Sequence, residues 1–398
     1  MGIEVLKVPM DDNRIIYVLL DANRKPIEVV AKYMKYLYNS GKKPNTLKGY
    51  CQALKAYFIY LGQLGIDYNQ VSFEVLSNFV GWLSNPYESV KVTPQKKTSA
   101  KRAESTVNNY ITVVTNFYDY LYRSDLIDSN IGDKLMKKVF SGAGGKGYKS
   151  FLEHVSGNQP YSINILKQKE PRKKVEIFTK EQVEIVYNAT TNIRDRFLIR
   201  LLFETGMRIG EALSLFLEDL KFDNKHRKHQ IHLTERGVLP NGGYLKTGER
   251  KIDVSQELMD LYDDYLYEVI DDLDLDHNFV FVKLSGGKMG SPMEYHNVRD
   301  VCEELKKKTG FHITPHMFRH THGTLYYLAT KNIKMVQERL GHSQIQTTIK
   351  YYLHPSEDDI RKDWEKAAPT FKLGSIKIRE NGKEDPVLSG ISDEAYPF

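Results

Sequence analysis

Cysteine is nearly missing from this 398-residue chain: only Cys51 and Cys302 occur, far apart, each in a stretch with helical periodicity. That excludes a disulfide framework and a Cys/His zinc spacing, and it fits a reducing compartment. Long apolar runs are also missing, so no segment reads as a membrane-spanning helix. The start of the sequence has no basic stretch followed by an apolar run of the secretory kind. Nor does one sign of charge dominate, since 57 Lys and Arg against 51 Asp and Glu give +6, with a pI near 8.8. Mild basicity is compatible with a nucleic-acid partner but diagnoses none. These absences lead us to expect a soluble, cytoplasmic protein with no membrane partner.

What is present is organisation. The length exceeds one ordinary core, so two domains are expected. Arg14 to Leu20 is apolar and β-branched and reads as a strand. From Pro26 to about Ile131 the pattern is helical. Val30, Tyr33, Met34, Leu37 and Tyr38 mark one apolar face, and Thr46 to Leu64, Ser72 to Leu83 and Ser105 to Tyr122 supply further helices. Asn45-Thr46 and Ser105-Thr106 are candidate N-caps. Tyr57, Phe58 and Tyr60 read as core, while Lys48, Lys55, Asn108 and Asn109 read as a polar face. Glycine density at Gly142 to Gly147 and the basic, proline-containing run from Pro160 to Lys174 read as a linker.

Order resumes at Thr179 and Gln182, a capping-box pair. Arg194 to Glu204 reads as a helix, residues 229–254 alternate as hairpin strands do, and helices follow over 256–272, 297–309, 320–330 and 334–340. The expected fold class is mainly α with a small antiparallel β-sheet (α+β). The expected boundaries are 1–24 for an N-terminal extension, 25–135 for a helical domain, 136–175 for the linker, 176–368 for a second domain and 369–398 for a tail.

Two arginines stand out in the second domain. Arg208 lies in the glycine-flanked turn Gly206-Met207-Arg208-Ile209-Gly210-Glu211, and Arg319 in His316-Met317-Phe318-Arg319-His320. Leu340-Gly341-His342 and then Thr347-Thr348-Ile349-Lys350-Tyr351 follow. Paired guanidiniums hold a phosphate's oxygens in a forked, permanently charged grip that lysine does not reproduce. A nearby tyrosine hydroxyl is then a nucleophile for phosphorus. Basic clusters at Lys91, Lys96, Lys97, Lys101 and Arg102, at Lys167 to Lys174 and at Lys221 to His229 each read alone as solvated loops. Beside a phosphate-type site, the three together point to contacts with a DNA backbone.

From about Glu176 to Lys366 these motifs, in this order, resemble the tyrosine recombinase (phage integrase) family. The resemblance implies an N-terminal helical core-binding domain that clamps duplex DNA and a catalytic domain that exchanges strands without metal, ATP or another cofactor. It implies Arg208 and Arg319 as charge stabilisers, Tyr351 as the nucleophile forming a 3′-phosphotyrosyl ester, and Lys246 as the acid protonating the departing 5′-oxygen. His316 is then the proton acceptor or a phosphate ligand, and His342 a phosphate hydrogen-bonder. Lys251 and Arg250 compete with Lys246, and Tyr352 stands beside Tyr351. The implied partners are double-stranded recombination sites, a homotetramer holding two of them, and directionality or accessory proteins in a bacterial nucleoid. A transposon-borne enzyme is the leading context, and the tail is expected to serve synapsis more than single-site binding, or else to be disordered.

Other readings compete. His316, His320 and His322 resemble a metal cluster, yet no carboxylate or cysteine completes the ligand set. His320 and His322 read better as structural, and Glu211 as the group orienting Arg208. Lys334 to Thr348 also reads as a helix-turn-helix, which suits a DNA-binding regulator with no enzymology or a catalytically dead accessory recombinase. That reading leaves the coincidence of arginines, lysine and tyrosine unexplained.

Overall fold

A computed structural model describes residues 2–9, 15–84, 102–128, 131–139, 161–171, 175–226, 228–286 and 288–346, with 348, 361, 365 and 369. The chain divides into two compact units, Met1–Lys174 and Val175–Phe398. Tyr351, its neighbours Thr347 and Tyr352, Lys91 to Lys101 and nearly all of the tail lie outside the described residues.

The first unit opens with a hairpin, strand β1 (Glu4–Pro9) antiparallel to β2 (Ile15–Leu20). The second of these strands was expected from its sequence; the first was not. Tyr17 and Leu19 of β2 are buried in the same core as the helices, so the 1–24 segment is part of this unit. The helices are α1 (Glu28–Asn39), α2 (Pro44–Leu64), α3 (Phe73–Ser84), α4 (Glu104–Arg123) and the short α5 (Ile131–Leu135). Their apolar stripes meet in a core rich in rings, with Tyr33, Tyr57, Phe79, Phe117 and Tyr118 fully buried. Helix starts differ from expectation. Helix α2 begins at Pro44, whose missing N–H costs nothing in a first turn, and α4 begins at Glu104 behind Ala103. Asn45-Thr46 and Ser105-Thr106 therefore sit inside first turns.

Both ends of the segment read as a linker carry structure: β3 (Met136–Val139) pairs antiparallel with β4 (Tyr161–Asn164). The chain beyond β4 lies on α4, where buried Asn108 donates to Gln168 O at 2.8 Å and to Glu170 Oε1 at 2.9 Å. Asn108 is thus an internal clamp, whereas Asn109 and Lys48 are exposed.

The second unit begins with α6 (Lys180–Asn188), closed by the expected Thr179/Gln182 capping box. Helix α7 (Ile193–Thr205) is central, buried on several sides through Phe197, Leu198, Ile199, Leu201 and Leu202. One turn of helix, α8 (Ile209–Ala212), precedes a three-stranded antiparallel sheet ordered β5 (Leu220–Lys221), β6 (Gln230–Leu233), β7 (Arg250–Asp253). Helix α9 (Gln256–Tyr265) runs into a π-helical turn, Leu266–Ile270, and α10 (Tyr295–Thr309) follows. Helix α11 (Pro315–Thr330) begins five residues earlier than the expected 320–330, and α12 is Ile333–Leu340. Phe197 stacks on Tyr265 and Phe281, and α7 packs against both α9 and α11.

Candidate active site

Helix α7 ends at Gly206, whose backbone is left-handed (φ +62°). A Cβ there would stand 2.6 Å from His322 Cδ2 and 2.8 Å from Leu340 Cδ2, so only glycine brings this turn so close to α11 and α12. Arg208 follows at the start of α8. Its backbone N–H donates to Glu211 Oε2 at 2.9 Å, and its Nη1 donates to Glu211 Oε1 at 2.9 Å and Thr247 Oγ1 at 3.1 Å. Glu211 is 0% exposed and also accepts from Arg250, through Nη2 at 2.8 Å and Nη1 at 3.3 Å. Burial pushes this carboxyl upward, but bonds and charge from Arg250 and Arg208 outweigh it and hold the group below its usual value.

Because α11 starts at Pro315, His316, Arg319 and His320 share its first turns. Arg319 is 3% exposed; its Nη1 donates to Gly206 O and its Nη2 to Leu340 O, both at 2.7 Å. The last carbonyls of α12 therefore hold three guanidiniums in succession. Arg250 Nε donates to Arg339 O at 3.0 Å, Arg319 to Leu340 O, and Arg208 Nη2 reaches Gly341 O at 3.5 Å. A helix C-terminus carries partial negative charge and unpaired carbonyls, which makes it a suitable rack for cations.

The histidines stand in this positive field. Partial burial, then the charges of Arg319, Arg208 and Lys246, lower the pKa of His316, although its ring still reaches solvent. His320 stacks on it with ring centroids 6.2 Å apart, and burial followed by His316 and Arg319 holds His320 at about 4. His342 follows the left-handed Gly341 cap and is lowered to about 4 by burial, then by Arg319 and Arg208. Its Nδ1 lies 2.9 Å from Thr348 Oγ1. His322 is buried and structural: Nδ1 lies 2.9 Å from Phe203 O, and Nε2 accepts from Arg339 Nε at 3.0 Å.

Lys246 is exposed in the β6–β7 connection, not on a strand, and His316 feels its charge. Its competitors are placed differently. Arg250 is committed to Glu211 and Arg339, and the charge of Lys251, on β7, acts on His232. Arg208, Lys246, His316, Arg319 and His342 thus converge, whereas Tyr351 falls outside the described residues. Sequence reasoning missed Thr247 and Arg339, and weighed Arg250 only as a lysine substitute. The spacing of Lys246-Thr247-Gly248-Glu249-Arg250, with alternation across β7, was the available signal.

The chain belongs to the phage integrase family, which matches residues 176–358, and it is a site-specific recombinase of the tyrosine class. It is 41% identical over 354 residues to Transposase A from transposon Tn554 of Staphylococcus aureus, covering 88% of this chain and 94% of that protein. It is 27% identical over 346 residues to the tyrosine recombinase XerC of Leptospira interrogans, covering 86% and 93%. Among solved structures, the Tn1549 transposon integrase in complex with a circular intermediate DNA shares the fold, with a TM-score of 0.57 and 22% identity over 85% of this chain and 99% of that one.

Proposed function

We propose that this chain cuts and rejoins double-stranded DNA at recombination sites, with Tyr351 as nucleophile and Arg208, Lys246, His316, Arg319 and His342 as its catalytic partners. The observation that carries this reading is the fixing of Arg208 and Arg319 on adjacent carbonyls beside two histidines and a lysine. Tyr351 Oη attacks the scissile phosphorus, an O–P bond forms, and the bond to the 5′-oxygen breaks. His316, held neutral, accepts the phenolic proton, and Lys246 Nζ gives a proton to the leaving 5′-oxygen. Arg208 and Arg319 neutralise the non-bridging oxygens from fixed positions, so little reorganisation is needed as charge builds. His342 hydrogen-bonds the same phosphate. The phosphotyrosyl ester retains the energy of the broken bond, so a second 5′-hydroxyl reverses the attack and neither ATP nor a metal is required.

The relatives lend support to a biological setting. The likeness to a transposase supports movement of a mobile element in a bacterial cell, at the nucleoid. Exchange between two sites calls for four protomers, so the working form is a homotetramer on paired DNA sites, with accessory or directionality proteins as further partners. The test is a DNA substrate nicked beside the scissile phosphate. Wild type should form a denaturation-resistant protein–DNA adduct and Tyr351→Phe none. Sequence-specific binding with no adduct would mark a regulator, and cleavage abolished by EDTA would mark a metal-dependent nuclease.

A further inference from the structure

We infer that Arg250 is a positioning residue for strand transfer, a role that rests on the reading of Arg208 and Arg319 as the phosphate clamp. All three of its nitrogens are used within the protein: Nη1 and Nη2 on Glu211, Nε on Arg339 O. Its side chain is 10% exposed. The Nη atoms of Arg319 bond neutral carbonyls, but the fork of Arg250 is spent on the Glu211 carboxylate, so it does not serve a phosphate. Instead it joins the three pieces of chain that carry the site. Glu211 fixes the Arg208 turn, the backbone at Arg339 is the end of α12 that leads to His342, and Arg250 itself closes the connection bearing Lys246.

The joint is tight. A Cβ on Gly341, a left-handed position (φ +64°), would stand 2.9 Å from both Arg250 Nη1 and Thr247 Oγ1. Glycine at 341 lets the end of α12 settle against Arg250, and His342 is the next residue. Losing the Arg250 fork would free Glu211 to draw Arg208 away from Gly341 O, and would loosen the carbonyl ladder on which Arg319 also rests. Lysine keeps the charge but presents one nitrogen, which does not span Glu211 and Arg339 O together.

Arg250→Lys and Arg250→Met test this on the full-length protein with the nicked substrate. A second substrate carries a methylphosphonate at the scissile position, so one anionic oxygen fewer needs holding. DNA-site binding should stay within about threefold of wild type. Adduct formation should fall roughly 100-fold for methionine, the scale of a small misplacement of reacting groups, and less for lysine. On the methylphosphonate the deficit should shrink at least severalfold, which a general loss of folded protein would not produce. Should Arg250→Met fail to fold, Arg250→Lys decides by the same ratio. A wild-type adduct rate in the variants, or an equal deficit on both substrates, overturns the inference and leaves the catalytic reading standing. A wild type that forms no adduct overturns that reading, and the inference with it.

Discussion

Arg319 donates to the carbonyl oxygen of Gly206 across 2.7 Å, although 113 residues separate them in sequence. The bond ties the arginine of α11 to the turn that delivers Arg208. Its second bond, to Leu340 O, adds the end of α12 to the same unit.

Arg319→Lys should therefore be far from conservative. One ammonium does not serve two carbonyls on opposite sides and present a planar fork as well. We expect the variant to fold and bind its site while adduct formation falls about 100-fold or more, the scale of losing a fixed charge-stabilising donor. A rate within a few-fold of wild type would show that Arg319 is a structural strut only.

Gly206 offers a stability test with an internal control. Gly206→Ala would force a left-handed alanine and push a methyl into His322 and Leu340. Gly65, which caps α2 at φ +66°, has nothing within 4 Å of its virtual Cβ. Gly65→Ala should cost only the backbone penalty, about 1 kcal/mol. Gly206→Ala should add an overpacking cost of about 1–3 kcal/mol to that. Urea unfolding read by hydrogen exchange in each unit measures both, and equal losses would mean the contact around Gly206 relaxes without cost.

Features decided within a few residues were legible in the sequence. The Thr179/Gln182 capping box and the Arg208–Glu211 turn are local chemistry, and the structure shows both. Helix starts were misread at Pro44, where a proline at the first helical position competed with the polar pair Asn45-Thr46, and at Pro315, where the helix was expected only from His320. For α11 the difference matters, because only a start at Pro315 puts His316, Arg319 and His320 on one side at helical spacing. Pairings across distance were not legible. Strand β1 shows no clean alternation and is defined by β2, and Asn108 is buried by a segment about 60 residues away. The bond from Arg250 to Arg339 O spans 89 residues and appears only in the folded chain.

Acid should weaken the second unit. Burial, then Arg339, holds His322 at about 3, and burial with its cationic neighbours holds His320 and His342 at about 4. Each of these folded values lies below the ordinary histidine value of 6.5. Between the two, the unfolded chain binds more protons, so the contribution is whole above about pH 6.5 and is lost as pH falls toward 3–4. For buried His322 the slope approaches about 1.4 kcal/mol per pH unit, with the half-buried pair adding less. The urea midpoint of the second unit should drop between pH 7 and 5. The first unit's only histidine is His154, so it should change less. A flat midpoint for the second unit would contradict the burial of these rings.

In the first unit, two buried phenols form a directional chain. Tyr118 donates its hydroxyl proton to Tyr68 O at 2.9 Å, and the Tyr57 and Tyr118 oxygens are 2.7 Å apart. Since Tyr118 has one proton and spends it on the carbonyl, Tyr57 must be the donor between them. Removing the Tyr57 hydroxyl leaves Tyr118 still bonded, so Tyr57→Phe should cost about 1 kcal/mol. Tyr118→Phe strips the carbonyl of its donor and strands a buried hydroxyl at Tyr57, so it should cost about 2–3 kcal/mol. Urea unfolding of the two variants checks the order. If Tyr57→Phe proves the more damaging, the proton runs the other way, from Tyr118 to Tyr57, and Tyr68 O takes its hydrogen bond from elsewhere.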